Sequence, residues 1–132
     1  MPDETHERLT GLRNGLLKLH KSLMDSERAL YERDVERITS TGQYLGLVMN
    51  DPWFAWLREL SQFIVMVDET LDLEEKPTAA DADRLIAQAR GLLAPTEGAA
   101  GFAGKYYELM QRDPAAVLAH GEMMKVFGTL SA

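Results

Sequence analysis

Leucines recur along the first quarter of the chain at alternating steps of three and four residues. This spacing places their side chains on one stripe of an α-helix, in the heptad-like manner of helices that pack on other helices. Ser26 takes the remaining slot of the stripe, and Leu17, Met24 and Tyr31 widen it on one side. The pattern predicts a long N-terminal helix from about Thr5 to Val35. Its stripe consists of Leu9, Leu12, Leu16, Leu19, Leu23 and Leu30.

Two capping signals divide the next part of the chain. Ser40 and Gln43 fit the S-x-x-Q capping box, which predicts a short apolar helix that stops at Asn50. Asp51-Pro52 then starts another helix, because aspartate is a good N-cap and proline at the first helical position loses no hydrogen bond. This helix is apolar on most sides, so we expect it to be the largely buried central helix or to meet a partner. Its main stripe is Trp53, Leu57, Leu60, Ile64, Val67 and Leu71, and Phe54, Trp56, Phe63, Val65 and Met66 lie outside that stripe.

Capping signals and apolar spacing in the remainder of the chain predict three more helices. Residues 72–77 form an acidic linker, and Thr78 with Asp81 caps the helix that follows. Another helix comes after a glycine-rich loop, and Asp113-Pro114 starts the last one. No stretch alternates apolar and polar residues as a strand does. The predicted fold class is therefore all-α, a single domain over residues 1–132 that forms a compact bundle of about five to six helices.

Composition and charge exclude several classes of function. The chain has 132 residues, 45% of them hydrophobic, which suits one globular domain. It has no cysteine, and therefore no disulfide, thiolate nucleophile or cysteine-ligated zinc. The net charge is −7, and the excess of acidic residues lies at residues 68–83. The sequence shows no basic face of the kind that binds nucleic acid or an anionic membrane. The longest apolar run, 63–67, is far shorter than a membrane span, and no signal peptide is recognisable, so we expect a cytoplasmic protein.

Few residues of the chain suggest chemistry. The three histidines fit no metal-ligand pattern, and no nucleophile or phosphate-binding motif occurs, so we predict no catalytic residue, metal or cofactor. His20, Glu27 and Tyr31 fall on one side of the first helix, and Ser61 and Asp68 follow a similar line on the central helix. We expect His20, Glu27 and Asp68 to approach one another. They would form either a site with a general base or a buried hydrogen-bond network that fixes the register of two helices.

The aromatic residues after Asp51-Pro52 have two interpretations. At helical spacing Trp53 and Trp56 suit a plain core, and they also suit the lining of a small-ligand cavity. Aromatic or apolar residues left exposed would instead indicate a protein interface. The ligand or buried polar candidates are His20, Glu27, Tyr31, Trp53, Trp56 and Asp68, and the interface candidates are Phe54, Val65 and Met66.

Three strings of residues stand out when they are taken together. They are Leu19-His20-Lys21 with Asp25, Glu27, Arg28 and Tyr31; Asn50-Asp51-Pro52 with Phe54-Ala55-Trp56-Leu57-Arg58, Ser61 and Asp68; and Tyr106 with Gln111-Arg112-Asp113-Pro114 and His120. Together they resemble a small family of uncharacterised bacterial proteins, all-helical domains of unknown function, over nearly the whole chain. The resemblance implies a bacterial, single-domain protein, and it carries no activity over to this one.

These observations leave two classes of function open. The first is a non-enzymatic interaction module or homo-oligomer, in which surplus apolar surface on the central helix meets a protein partner or a second copy. The second is a small-ligand-binding bundle with a cavity near Trp53, Trp56 and His20. An enzyme ranks third, because no nucleophile–base pair or cofactor motif can be named. We expect neither nucleic acid nor a membrane among the partners.

Overall fold

The structure is all-helical, as the sequence predicts. A computed structural model describes residues 3–130, and over that range it contains seven α-helices and no strand. The count exceeds the predicted five to six because the helix expected to begin at Asp51-Pro52 is divided in two. The helices are α1 (Glu4–Asp34), α2 (Thr41–Asn50), α3 (Pro52–Ala55), α4 (Arg58–Leu71), α5 (Ala79–Leu92), α6 (Phe102–Arg112) and α7 (Pro114–Leu130).

The long helix α1 lies at the centre of the fold. Asp3 caps it, since the Asp3 carboxylate accepts from the backbone N–H of Thr5 (3.0 Å), and both ends agree with the prediction to within one residue. All six leucines of its stripe are buried, and α1 packs against α3, α4, α5 and α7. A Cβ on Gly15 would lie 3.0 Å from both Met123 Sδ and Val126 Cγ1. Glycine at this position therefore lets α7 come close to α1.

The helix predicted to begin at Asp51-Pro52 breaks after one turn. The Asp51 carboxylate accepts from the N–H of Trp53 (2.8 Å) and starts α3, as predicted. The chain then tightens, because the N–H of Leu57 donates to the carbonyl oxygen of Phe54 three residues back (3.1 Å), and α4 begins at Arg58. The tight turn lets α3 pack on α1 and α2 while α4 packs on α1 and α5.

The prediction of a largely buried central helix is wrong for α4. Of its fourteen residues only Leu60, Ile64 and Val67 are buried. Val65 and Met66 are exposed, because α1 and α5 cover α4 from one side only. The central position belongs to α1, which packs against four other helices.

The short helix α2 lies at the outside of the bundle. Ser40 caps it by accepting from the N–H of Gln43 (3.1 Å), as predicted. The side chain of Gln43 does not complete the capping box, because its Oε1 accepts from the N–H of Thr39 (2.8 Å) instead. α2 packs on α3 and contains no buried residue. Its inner side chains cover a second, smaller core formed by Tyr31, Ile38 and Phe54.

The predicted capping box and glycine-rich loop both form in the second half of the chain. At the start of α5, Thr78 Oγ1 accepts from the N–H of Asp81 (3.1 Å), and the Asp81 carboxylate accepts from the N–H of Thr78 (2.9 Å). Gly98 and Gly101 have positive φ angles in the loop before α6, which favour glycine. α6 and α7 pack on each other, and α7 packs along α1 to close the bundle.

Candidate functional site

Three polar contacts follow one another along the side of α1 that faces α3 and α4. They are Arg13 Nη1 to Asp68 Oδ1 (3.3 Å), His20 Nε2 to Ser61 Oγ (2.8 Å) and Trp56 Nε1 to Glu27 Oε2 (3.1 Å). Seven residues forward along α1, from Arg13 to His20, correspond to seven residues back along α4, from Asp68 to Ser61. The two helices are therefore antiparallel, and their register decides which polar side chains meet.

The expectation that His20, Glu27 and Asp68 approach one another is wrong. Asp68 pairs with Arg13, which lies two helical turns, about 10 Å, before His20 on α1. Glu27 lies two turns beyond His20 in the other direction and bonds to Trp56. Each candidate therefore has its own partner, and residues that share one face of α1 lie along one seam without forming one site.

Glu27 forms the floor of a small cleft between α1, α3 and α6. Its side chain is only 7% exposed; Oε2 accepts from the indole N–H of Trp56, and its backbone oxygen accepts from the indole N–H of Trp53 (3.1 Å). Burial raises the pKa of Glu27, while the Trp56 hydrogen bond and the positive charges of Arg112 and Lys105 act in the opposite direction. The cleft has a volume of about 170 Å³, and its other lining residues are Pro52, Lys105, Glu108, Leu109 and Arg112.

Tyr31 belongs to the second core and lines neither of the clefts described here. Its ring packs edge-on against Trp53 and tilted against Phe54, each at 5.7 Å between centroids. Its hydroxyl donates to Glu36 Oε1 (3.3 Å), and burial, followed by the charge of Glu36, raises its pKa. The structure therefore gives Tyr31 a packing role.

His20 lines a second and larger cleft, on the other side of α3. The cleft has a volume of about 490 Å³ and lies between α1, α2 and α4. The prediction of one cavity near Trp53, Trp56 and His20 is therefore wrong, since Trp53 and Trp56 line the Glu27 cleft whereas Phe54 and His20 line the other. The lining residues are His20, Met24, Val48, Met49, Phe54, Leu57, Arg58 and Ser61.

The His20–Ser61 pair resembles part of a nucleophile–base arrangement in distance only. Burial lowers the pKa of His20, which favours the neutral ring. Ser61 Oγ is also 3.4 Å from the carbonyl oxygen of Leu57 in its own helix. An activated serine needs a base that is oriented by a third group. Among residues 3–130 no group bonds to Nδ1 of His20, so the pair serves as a hydrogen bond between two helices.

The three interface candidates differ in exposure. Phe54 is 1% exposed and belongs to the second core, so its assignment to an interface is wrong. Val65 and Met66 are 52% and 38% exposed on the outer side of α4. Phe54 is covered because the break after α3 turns it inward, away from the side of α4 that carries Val65 and Met66.

An exposed apolar surface that the sequence reading missed lies on α2. Leu45 and Met49 are spaced by four residues and are 54% and 69% exposed. Gly42 and Gly46 lie on the same side of the helix, and a Cβ on either would meet no atom within 4 Å. We call this surface, formed by Gly42, Leu45, Gly46 and Met49, the α2 face. The i, i+4 spacing of Leu45 and Met49 beside two glycines was the available signal.

A second histidine pair was also missed. The hydroxyl of the buried Tyr106 lies 2.6 Å from Nδ1 of His120, and the Tyr106 ring continues a series of ring contacts from Trp56 through Phe102. Burial raises the pKa of Tyr106 and lowers the pKa of His120, which favours a protonated phenol beside a neutral ring. The pair joins α6 to α7 inside the bundle.

Comparisons with known proteins add no family. No family model, curated protein or solved structure matches the chain. Within the part of the chain that the structure describes, no group of three or more histidine, aspartate or glutamate side chains is placed to hold a metal ion. No helix between residues 3 and 130 is long and apolar enough to cross a membrane.

Proposed function

We propose that the protein is an interaction module that binds an apolar segment of a partner protein on the α2 face. One observation carries this proposal: α2 is a helix with five apolar side chains between Tyr44 and Met49, yet it buries none of its residues. Large exposed apolar side chains that lie side by side are typical of interaction sites. The cytoplasmic location and the bacterial family expected from the sequence belong to the same proposal.

The two glycines of α2 support a partner on this side. Each glycine inside a helix lowers helix stability by about 1 kcal/mol relative to alanine. Neither Gly42 nor Gly46 is required by close packing within the chain, because the space beside each is open. A partner that covered the α2 face could approach the helix backbone at these positions and would stabilise a helix that is weak on its own.

Two arginines lie near the ends of α2 and suggest the charge of the partner. The carbonyl oxygen of Arg37 accepts from Gln43 in the first turn (3.3 Å), and Arg58 Nη2 donates to the carbonyl oxygen of Met49 in the last turn (2.9 Å). Among the described residues no carboxylate forms an ion pair with either guanidinium. A ten-residue helix is about 15 Å long, so a matching partner carries acidic residues on both sides of a short apolar segment.

A second copy of the chain fits this surface less well. If two α2 faces met across a twofold axis with their helices antiparallel, Arg37 of one copy would lie near Arg58 of the other, and like charges would face each other. The net charge of −7 on each chain adds to the repulsion between copies. A different protein with acidic flanks is therefore the proposed occupant.

Selection from a random peptide library displayed on phage tests the proposal. Wild-type protein is the only target of the selection, and the enriched peptides are then measured for binding to wild type and to Leu45→Asp. We expect enriched peptides to carry a short apolar run flanked by Asp or Glu, and to lose affinity by about tenfold or more for Leu45→Asp. Leu118→Asp is the matched control, because Leu118 is also an exposed leucine (72%) but lies on α7, outside the α2 face. Enriched peptides that bind Leu45→Asp as tightly as wild type would refute the proposal.

Native mass spectrometry separates the partner from a second copy. We expect the wild-type protein to be monomeric at micromolar concentration. A dimer that Leu45→Asp dissociates and Leu118→Asp leaves intact would instead identify a second copy as the occupant of the α2 face.

A further inference from the structure

We propose that the Glu27 cleft binds a small zwitterion of amino-acid size, whose ammonium group pairs with the Glu27 carboxylate and whose anionic group pairs with Lys105 and Arg112. This site lies on the other side of α3 from the His20 cleft. It does not depend on the α2 face.

One oxygen of Glu27 is available to a ligand. Oε2 accepts from the indole N–H of Trp56 (3.1 Å), but no donor among residues 3–130 bonds to Oε1. Every fully buried side-chain nitrogen and oxygen in the described chain has a hydrogen-bond partner, so Oε1 retains access to solvent. That access leads into the cleft that Glu27 lines. A nearly buried carboxylate with a vacant acceptor favours a ligand that carries a charged donor.

The two tryptophans hold this carboxylate in place. Trp53 and Trp56 both donate their indole N–H groups to Glu27, one to its backbone oxygen and one to its side chain. With these groups in use, each indole offers a ligand only aromatic carbon, which is suited to the methylene groups beside an ammonium. The Arg112 guanidinium lies over the Trp53 ring, 5.7 Å from its centroid, and so stands at the same wall of the cleft. The floor and one wall of the cleft are therefore preorganised before any ligand enters.

The positive charges at the rim come from α6. Lys105 and Arg112 influence the Glu27 carboxylate through space, but neither forms an ion pair with it. They pair instead with exposed carboxylates, Lys105 with Glu108 (3.8 Å) and Arg112 with Asp34 (3.2 Å). Such surface pairs contribute little stability, so the anionic group of a ligand can replace them readily.

The balance of charge and the volume restrict the ligand further. The cleft is lined by two acids, Glu27 and Glu108, and by two bases, Lys105 and Arg112, so its formal charge is zero. A ligand with only one sign of charge would be repelled at one end, whereas a zwitterion is matched at both. The volume of about 170 Å³ lies below the usual range of roughly 300–1,000 Å³ for drug-sized ligands, which indicates a molecule of few heavy atoms.

Isothermal titration calorimetry of the full chain tests the site with defined probes. The panel is the standard α-amino acids and γ-aminobutyrate, with n-butylamine and butyrate as singly charged controls. We expect at least one zwitterion to bind with a Kd of about 1 mM or tighter, and about tenfold more tightly than either control. A panel in which no zwitterion binds at about 10 mM, or in which a singly charged control binds equally well, overturns the proposal.

Two variants examine the two ends of the ligand. Glu27→Gln keeps an acceptor for Trp56 but removes the charge, and Lys105→Gln changes an exposed side chain that the fold does not require, so each is expected to weaken binding about tenfold. Glu97→Gln is the matched control, an exposed carboxylate outside the cleft, and should leave the Kd unchanged. Unchanged binding in either folded variant overturns the proposal. Leu45→Asp should leave zwitterion binding intact, so failure of this proposal and failure of the α2 proposal are distinguishable.

Discussion

The side chain of Glu27 lies where burial disfavours its ionised form. Burial raises the pKa of Glu27 above its ordinary value of 4.5, despite the Trp56 hydrogen bond and the charges of Arg112 and Lys105. The folded state therefore holds this proton more tightly than the unfolded state does. As a result, the free energy of unfolding falls as the pH rises from 4.5 through the folded pKa, and at neutral pH the charged side chain destabilises the fold.

Replacing Glu27 with glutamine is expected to stabilise the protein at neutral pH. Glutamine keeps an oxygen for the indole N–H of Trp56 and removes the buried charge, for a gain of about 1 kcal/mol. The gain should disappear near pH 3.5, roughly one pH unit below the ordinary glutamate pKa, because the carboxyl group is then largely protonated in both states. Urea unfolding of both proteins at the two pH values measures it. A variant less stable than wild type at neutral pH would contradict this expectation.

Gly104 is required by a close approach between α6 and the loop before it. A Cβ at this position would overlap the carbonyl oxygen of Ala99, a backbone atom that cannot move aside as a side chain can. We expect Gly104→Ala to lower the free energy of unfolding by about 2 kcal/mol or more. Gly121→Ala, in an open position of α7, is the control and should raise it by up to about 1 kcal/mol. Thermal unfolding followed by circular dichroism measures both, and two changes of equal sign would argue against this role for Gly104.

The sequence predicts which polar residues are partly buried better than it predicts their partners. His20 and Glu27 lie on one side of α1 because their spacing follows the period of a helix. Their partners depend on the rotation and offset of a second helix, which are set by the turn at residues 56–57 and by core packing. Spacing along one helix therefore indicates a seam, but it cannot show that Asp68 meets Arg13 and not His20.

Among the helices, α2 has the least support from the rest of the fold. It buries no residue, and it contains two glycines in open positions. Helices with few buried contacts open locally with little free energy. We expect the backbone amides of α2 to exchange with deuterium faster than those in the middle of α1, as measured by hydrogen exchange with mass spectrometry. Gly46→Ala should slow exchange in α2 alone, and equal protection of the two helices would refute this expectation.

Capping chemistry predicts where helices begin more reliably than apolar patterns predict where a helix is interrupted. Ser40, Asp51 and Thr78 each cap a helix at the expected position, because the cap is a local hydrogen bond between neighbours in sequence. The break between α3 and α4 was not predictable in this way. The apolar stripe passes from Trp53 to Leu57 at a helical step, and one tightened turn leaves that pattern nearly unchanged.

For the molecule as a whole, two neutral histidines link stability to pH. Burial lowers the pKa of both His20 and His120 below the ordinary value of 6.5. The unfolded state therefore binds these protons more readily, and the free energy of unfolding falls as the pH drops from 6.5 through the folded pKa values. The stabilisation is fully present above pH 6.5. Glu27 acts in the opposite direction, so the histidine effect is clearest in a Glu27→Gln background.

Chemical unfolding of that variant between about pH 7.5 and pH 5 measures the effect. We expect stability to fall with acid, and the slope to decrease when His20 and His120 are each replaced by glutamine, which can still hydrogen bond to Ser61 and Tyr106. Replacement of His6, an exposed residue in the first turn of α1, is the control and should leave the slope nearly unchanged. If both glutamine variants retained the slope of the free energy of unfolding against pH that the Glu27→Gln protein shows, His20 and His120 would not be its source.

The fold class follows from the sequence, but the arrangement of the bundle does not. The leucine stripe and the caps suffice to predict an all-helical chain that begins with a long helix. The apolar width of residues 53–71 suggested a central helix there, whereas α1 takes that place because Gly15 lets α7 lie close on one side while α4 lies on another. Such contacts join residues far apart in the chain, as Gly15 and Met123 are, and no local pattern encodes them.

The short helix α3 and the tight turn after it, residues 52–57, separate two clefts and also support α2. Trp53 and Trp56 form part of the Glu27 cleft, whereas Phe54 and Leu57 form part of the cleft that contains His20. Anything that displaces this single turn from one side must change the shape available on the other. If both sides are occupied in turn, thermodynamic linkage requires each occupant to alter the affinity of the other by the same factor. A helix too short to contribute much to the core is then the element through which two separate binding events would become cooperative or antagonistic.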